Sequence, residues 1–135
     1  MQINPDNVLE HRRAFHEESN QQSSPFRDCL AKCTTEIVTI NPAKYAYGGM
    51  YKHMDIYVHK PKNVVRDVDR PAFIYFHGGA FVFNNAFHTA PIACHHALNF
   101  DCTVFGVDYG VAPEVKAPTG GLNAYAAVKY IVENA

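Results

Sequence analysis

Serine is scarce in this chain of 135 residues, and none follows residue 24. The only serines are Ser19, Ser23 and Ser24, which lie together in one polar stretch. A nucleophile turn of the Gly-x-Ser-x-Gly type, in which a strained strand-to-helix turn exposes a serine, is therefore missing from residues 25–135. Those residues on their own lack the serine of such a mechanism.

Long basic and long apolar runs are also missing. The net charge is -1, and no cluster of Lys and Arg is longer than the pair Arg12-Arg13, so the positive patch typical of nucleic-acid-binding proteins is absent. No run approaches the roughly 18 apolar residues that a spanning helix needs. The N-terminus has no basic start followed by an apolar stretch. We expect no nucleic-acid partner, no membrane span and a soluble, cytoplasmic, intracellular protein.

The cysteines favour neither a zinc site nor a disulfide framework. Cys29, Cys33, Cys94 and Cys102 have neither the C-x-x-C spacing of zinc ligands nor the density found in small secreted domains. This predicts reduced and mostly buried thiols. The run Cys94-His95-His96 contains metal-binding residue types, but neighbours on a helix point about 100° apart and cannot face one ion together. We expect no metal and no cofactor.

Hydrophobic periodicity predicts an α/β fold. A leading helix is followed by a linker-like polar stretch at 19–25, and strands are predicted at about 35–40 and 54–59 as a short antiparallel pair. The apolar run at 72–76 predicts a third strand in the interior of the sheet, covered on both faces. A helix at about 89–99 and a strand at 103–108 complete a parallel strand-helix-strand unit. A last apolar helical face follows the break at 118–121.

The most informative motif is His77-Gly78-Gly79-Ala80, directly after the apolar run. Acyl transfer needs donors fixed where a carbonyl oxygen becomes negative, and N–H groups of a glycine-rich turn reach that oxygen without side-chain interference. The motif therefore predicts an oxyanion hole, with His77 bracing the loop rather than acting as a general base. The alternative is an ordinary strand-to-helix turn in which the glycines supply positive φ angles.

Two further segments agree with this motif in order and spacing. Val107-Asp108-Tyr109-Gly110-Val111-Ala112-Pro113-Glu114 resembles the V-D-Y-R-L-A-P-E signature of the hormone-sensitive-lipase family of α/β-hydrolases. Leu122-Asn123-Ala124-Tyr125-Ala126-Ala127-Val128 is similar to the helix after it, and the glycine motif is similar to the family's H-G-G-G/A. The resemblance covers about residues 50–135, and the first 50 residues are a less specific match to the family's helical cap.

The resemblance implies the N-terminal part of a single, incomplete α/β-hydrolase domain. Residues 1–34 would be a cap-like helical segment and residues 35–135 the start of the central sheet. The implied activity is hydrolysis of carboxylic esters, with a small apolar ester as substrate or ligand. The N–H groups of Gly78, Gly79 and Ala80 would bind the oxyanion, and replacing Gly79 by valine would lower kcat far more than stability.

The resemblance also has departures. Gly110 stands where the family usually has arginine, and Asn123 where an acidic residue is common. The family's nucleophile, acid and catalytic histidine belong to sequence beyond Ala135. Cys94 and Cys102 are not substitutes, because neither lies in a glycine elbow or at an exposed helix N-terminus. Asp108 is expected to bond local backbone rather than to take part in chemistry.

Three origins fit these observations. The chain is a truncated esterase, a non-catalytic binding module that retains an apolar acyl pocket, or one part of an assembly whose other chain carries the triad. The end of the sequence inside a helix favours truncation. In the family's strand order the strand at 72–76 would then lack the neighbour that bears the nucleophile. Bare apolar edges template pairing with other chains, so we expect self-association through this exposed edge strand.

We predict that the chain does not hydrolyse short-chain aryl esters above a buffer control, because no serine follows Ser24. Initial rates with p-nitrophenyl acetate and butyrate measure this. The control is a variant with alanine in place of all three serines. Saturable turnover that survives those substitutions would reveal another nucleophile, which Cys94→Ala and Cys102→Ala variants would identify.

Overall fold

The computed structural model describes residues 6–21, 25–46, 53–62 and 69–134. Two helices come first and are followed by alternating strands and helices. The elements are α1 (Val8–Gln21), α2 (Arg27–Ala31), β1 (Cys33–Ile40), a 3-10 turn (Pro42–Lys44), β2 (Met54–Pro61), β3 (Ala72–Phe76), α3 (Ala86–Phe100), β4 (Thr103–Val107) and α4 (Thr119–Asn134). The predicted α/β class and element order are confirmed; the short helix α2 was not predicted.

The four strands form one mixed sheet in the order β1-β2-β4-β3. Strands β1 and β2 are antiparallel, with Ile40 opposite Met54. Strands β2 and β4 are also antiparallel, with Ile56 opposite Val107. Strands β3 and β4 are parallel, with Phe76 opposite Val107. The predicted antiparallel pair and the predicted parallel unit are therefore both present.

Helices α3 and α4 cover opposite faces of the sheet, because successive side chains along a strand alternate between its faces. In β4, Val104 packs towards α3 and Val107 towards α4, and both are fully buried. The cluster under α3 contains Cys33, Ala93, Cys94, Ala97, Cys102 and Val104. The cluster under α4 contains Ile40, Met54, Ile56, Val58, Val107, Tyr109, Ala127 and Ile131.

Strand β3 lies at the edge of the sheet formed by the described strands, as the family's strand order predicted, so the interior position covered on both faces that its apolar run predicted is wrong. Among the described strands it pairs only with β4. Phe73 and Phe76 are 38% and 40% exposed. The apolar composition of a run does not report how many neighbours the strand has, and here one edge and part of a face meet solvent.

Helix α4 begins at Thr119, before the predicted break ends. Gly120 lies in its first turn, where a Cβ would come within 2.7 Å of the Gly110 carbonyl oxygen and 3.1 Å of the Phe81 ring. This glycine therefore permits close packing instead of ending a loop. Helix α1 extends through Gln21 into the stretch predicted as a linker, and residues 22–24 of that stretch lie outside the described residues.

Burial sets the protonation of Cys94 and His59, which lie between the sheet and α3. All four cysteines lie in the described ranges and carry free thiols. Burial raises the pKa of Cys94 to about 12 and lowers that of the adjacent His59 to about 4. The His59 Nδ1 lies 2.9 Å from Thr35 Oγ1 and 3.5 Å from Cys94 Sγ. Thiol and imidazole are thus both neutral at pH 7.

The run Cys94-His95-His96 does not form one site. Cys94 faces His59 in the core, whereas His95 Nε2 lies 2.9 Å from Asn99 Nδ2 on the exposed side of α3. Within the described ranges, no group of three or more His, Cys, Asp or Glu side chains is placed to hold a metal ion. None of the described helices is long and apolar enough to cross a membrane.

Candidate active site

The glycine turn begins where β3 ends, at Phe76. Gly79 has a φ angle of +131°, and the next two residues, Ala80 and Phe81, have φ angles of 52° and 58°. Positive φ is uncommon for residues other than glycine. Such strained conformations cluster at functional sites, which makes this turn the first place to look for chemistry.

His77 is held at the start of the turn by Tyr109. The two rings stack with centroids 4.2 Å apart and planes 7° from parallel, and the Tyr109 hydroxyl donates to the His77 carbonyl oxygen. The His77 side chain is buried, and its Nδ1 lies 3.0 Å from the Gly78 carbonyl oxygen. Because a carbonyl oxygen only accepts hydrogen bonds, Nδ1 carries the proton and donates to the loop.

The His77 imidazole is neutral. Burial lowers its pKa, although the hydrogen bond to Gly78 and the charge of Asp108 act in the opposite direction. The Nε2 atom is buried and has no hydrogen-bond partner in the part of the chain that the structure describes.

The third carbonyl group of the turn, that of Gly79, accepts hydrogen bonds from amides later in the same turn. The Gly79 carbonyl oxygen accepts from the amides of Val82, at 2.9 Å, and Phe83, at 2.8 Å. Three successive carbonyl groups, those of residues 77, 78 and 79, thus each accept an internal hydrogen bond.

These bonds also orient the amide groups that follow. In a trans peptide the carbonyl oxygen and the next N–H point in opposite directions within one plane. Fixing the carbonyls of residues 77–79 therefore aims the N–H groups of Gly78, Gly79 and Ala80 away from the bonds that hold them. None of these three N–H groups donates to another described residue. Among the described residues they are three successive, fixed donors without an acceptor.

The loop after β4 packs against this turn. The Ala112 amide donates to the Phe81 carbonyl oxygen at 2.7 Å, and the Phe81 and Tyr109 rings meet edge to face at 5.6 Å. Asp108 Oδ1 accepts from the Ala86 amide at 2.9 Å, which satisfies a free N–H at the start of α3. Asp108 thus bonds backbone, as predicted, but that backbone belongs to α3, 22 residues away, and not to its own loop.

Close packing accounts for Gly110, and burial accounts for Asn123, the two departures from the family motif. A Cβ at Gly110 would lie 2.9 Å from a methyl group of Val115 and 3.1 Å from Asn123 Oδ1. Asn123 is buried, and its Oδ1 accepts from the Gly110 amide at 3.2 Å. A carboxylate buried at position 123 would need a compensating charge, whereas the neutral amide does not.

Sequence reasoning missed Arg12, which reaches both loops from α1. Its Nε donates to the Val82 carbonyl oxygen at 2.8 Å, and its Nη1 lies 2.5 Å from Glu114 Oε1. The guanidinium holds the pKa of Glu114 below its usual value through this hydrogen bond. The partners are separated by 70 and 102 residues along the chain, so no local pattern could have indicated the contact.

The two cysteines considered as substitute nucleophiles are not activated. Burial raises the pKa of both Cys94 and Cys102. A thiol attacks as the thiolate, so neither side chain supplies a nucleophile near pH 7.

Known proteins with similar sequences include several esterases. A profile of the alpha/beta hydrolase fold matches residues 73–135. Carboxylesterase NlhH of Mycobacterium tuberculosis is 38% identical over 72 residues, which are 53% of this chain and 22% of that protein. Probable carboxylesterase 13 of Arabidopsis thaliana is 38% identical over 68 residues, which are 47% of this chain and 20% of that protein. The chain thus matches about a fifth of these curated relatives.

Solved structures resemble nearly the whole chain. An esterase of Pyrobaculum calidifontis has a TM-score of 0.75 at 27% identity and covers 99% of this chain, which spans 40% of that protein. EstE1, a thermostable carboxylesterase cloned from a metagenomic library, has a TM-score of 0.75 at 30% identity. It covers 95% of this chain, which again spans 40% of the longer protein.

We predict opposite outcomes for alanine at the two adjacent glycines. At Gly78 a Cβ would meet nothing within 4 Å, so Gly78→Ala should change the free energy of unfolding by less than about 1 kcal/mol. At Gly79 a Cβ would lie 2.1 Å from the Phe83 carbonyl oxygen, at a φ of +131°. Gly79→Ala should therefore cost more than about 2 kcal/mol or prevent folding. Urea unfolding of both variants measures the difference.

This geometry corrects the expectation that Gly79 could be replaced by valine with little effect on stability. The collision is with backbone, which cannot move aside as a flexible side chain could. Equal stability of the two alanine variants would contradict the geometry of the turn described above.

Proposed function

We propose that residues 77–80 form the oxyanion hole of a carboxylic-ester hydrolase site, since the chain has the α/β-hydrolase fold that its motifs predicted. The observation that supports this role is the row of N–H groups at Gly78, Gly79 and Ala80, each on a peptide whose carbonyl is bound elsewhere. Donors fixed before the reaction are what a developing oxyanion requires.

The role of the turn is electrostatic. When a nucleophile attacks the acyl carbon of an ester, the carbonyl π electrons move to the oxygen, which becomes negative until the alcohol group leaves. Donors about 2.7–3.1 Å from that oxygen stabilise the charge, and the loss of one costs about 2.7–4 kcal/mol. In this proposal His77 positions the donors and transfers no proton, because its Nδ1–H is bonded to the Gly78 carbonyl oxygen and its Nε2 is buried.

The substrate proposed is a small apolar ester. Two exposed aromatic side chains, Phe81 in the turn and Phe87 in the first turn of α3, offer apolar surface for its acyl group. Residues 25–135 contain no serine, so we propose that this chain alone does not turn over esters. The nucleophile, acid and base would come from sequence beyond Ala135 or from a second chain, and residues 1–34 would be the helical cap.

The second candidate function is a non-catalytic module that binds an apolar carboxylate. The same fixed donors support it, because a carboxylate oxygen resembles an oxyanion in charge. Sequencing the coding region downstream of Ala135 separates the two candidates. An in-frame Gly-x-Ser-x-Gly segment favours the hydrolase, and an immediate stop favours the binding module or the assembly.

We predict that butyrate binds at the turn, because it pairs a negative oxygen with a short apolar chain. In amide NMR spectra of the chain labelled with 15N-glycine and 15N-alanine, the signals of Gly78, Gly79 and Ala80 should move during a butyrate titration. The signal of Gly121, at the exposed start of α4, should stay in place.

Butyramide is the matched control because it has the same size without the charge. It should move the three signals much less than butyrate does. Unchanged signals at all three amides up to saturating butyrate, or equal shifts with both probes, would contradict the proposal of an oxyanion hole.

We also propose that the chain associates with itself through β3. Within the described ranges β3 pairs only with β4, and its sequence, AFIYF, contains neither charge nor proline to block a further strand. Sedimentation velocity over a concentration series should show mass rising with concentration. Phe73→Lys on β3 should reduce the association, whereas Val132→Lys on the exposed face of α4 should not. A monomer at every concentration, with amides 72–76 protected from exchange, would contradict the proposal.

A further inference from the structure

The guanidinium of Arg12 is connected to the proposed oxyanion hole through peptide groups. The Arg12 side chain is only 14% exposed, and its Nε donates to the carbonyl oxygen of Val82. The N–H on that same peptide group belongs to Phe83, and it donates to the Gly79 carbonyl oxygen at 2.8 Å. The N–H on the Gly79 peptide group in turn belongs to Ala80.

The contacts thus form one continuous hydrogen-bonded chain. It runs from the Arg12 guanidinium through the peptide joining residues 82 and 83 to the peptide joining residues 79 and 80, and it ends at the Ala80 N–H. Hydrogen bonds in such chains polarise one another, and those that begin at a charged donor are stronger than neutral ones. A positive charge at one end therefore makes the last N–H a better donor and fixes its direction.

We propose that Arg12 is a positioning residue of the oxyanion hole, which it orients and polarises at the Ala80 N–H through two peptide groups. This inference rests on the proposed function of the turn. It gives helix α1 a role at the oxyanion hole, which no sequence motif had indicated. Arg12 itself touches no reacting atom.

Two further contacts hold the guanidinium in place. One terminal nitrogen donates to the Ala112 carbonyl oxygen, and the other pairs with Glu114 at 2.5 Å. The Ala112 amide also binds the Phe81 carbonyl oxygen, at 2.7 Å, so the same loop steadies both the arginine and the turn. A planar group with several donors suits this bridging, whereas a lysine ammonium is a point charge.

Docking of α1 does not depend on Arg12 alone. Phe15 packs on Phe83 with ring centroids 5.5 Å apart, and His16 stacks on His88 at 4.3 Å. These ring contacts join α1 to the turn and to α3 without the guanidinium. Loss of the guanidinium therefore leaves contacts that keep the helix in place, which makes the effect on the turn measurable.

The test compares Arg12→Gln with Arg13→Gln. Arg13 is the next residue on α1 and is exposed. Each variant removes one positive charge, so both should weaken the long-range attraction of an anion to the same extent. We expect Arg12→Gln to weaken butyrate binding at the turn about fivefold, and Arg13→Gln less than twofold. In the ligand-free chain, Arg12→Gln should also move the Ala80 amide signal upfield and speed hydrogen exchange at Phe83.

Arg12→Lys keeps the charge and covers the case in which Arg12→Gln fails to fold. It should show an upfield shift at Ala80 that is smaller than that of Arg12→Gln, because the charge remains, and an affinity for butyrate below that of the native chain. The inference is overturned if Arg12→Lys, or a folded Arg12→Gln, gives the same results as Arg13→Gln. The results compared are the butyrate affinity, the Ala80 amide shift and the Phe83 exchange rate. The proposed function would stand in that case.

Failure of the proposed function gives a different result. In that case butyrate binds neither the native chain nor any of the variants. The Ala80 chemical shift and the Phe83 exchange rate, measured without butyrate, still report on the connection to Arg12. A change in both signals on loss of Arg12 alone would support the structural connection without the oxyanion role.

Discussion

The fixed orientation of three successive peptide groups after β3 is the constraint on which the rest of this structure depends. Each carbonyl at residues 77–79 has an internal partner, so each following N–H faces away from that partner. The sheet supplies the first of these partners. Because Phe76 lies opposite Val107 in the parallel pair, His77 and Tyr109 leave neighbouring strands close together, and the tyrosine hydroxyl reaches the His77 carbonyl oxygen.

Two glycines give the loop after β4 and the start of α4 the space to pack closely around the glycine turn. Gly110 and Gly120 allow the loop after β4 and the start of α4 to pack where any Cβ would collide. Positive φ at Ala80 and Phe81 costs on the order of 1–3 kcal/mol per residue. That strain is offset by the hydrogen bonds of the turn and by a sheet whose two faces are both packed under helices. The turn is therefore maintained by the surrounding fold rather than by its own sequence.

The sequence predicted the features that depend on local pattern. The bounds of β3 and the glycine turn follow from an apolar run ended by glycines, and both agree with the structure. The apolar run alone predicted an interior position for β3, because composition does not count neighbouring strands, whereas the family's strand order predicted the bare edge seen among the described strands. The role of Gly120 was missed because a glycine that ends a loop and one that permits close packing look alike in sequence. Arg12 was missed because its partners lie 70 or more residues away.

The residues that aim the donors all lie in the described part of this chain, and none of them needs to change charge during a reaction. Burial keeps His77 neutral by lowering its pKa. Burial also raises the pKa of Tyr109, so its hydroxyl keeps the proton with which it holds the His77 carbonyl. Stabilisation of a transient negative charge is most effective when the donors require no reorganisation at the moment of reaction. Under the proposed function, a nucleophile delivered by another segment or chain would therefore meet donors that are already oriented, and this chain would contribute electrostatic stabilisation rather than proton transfer.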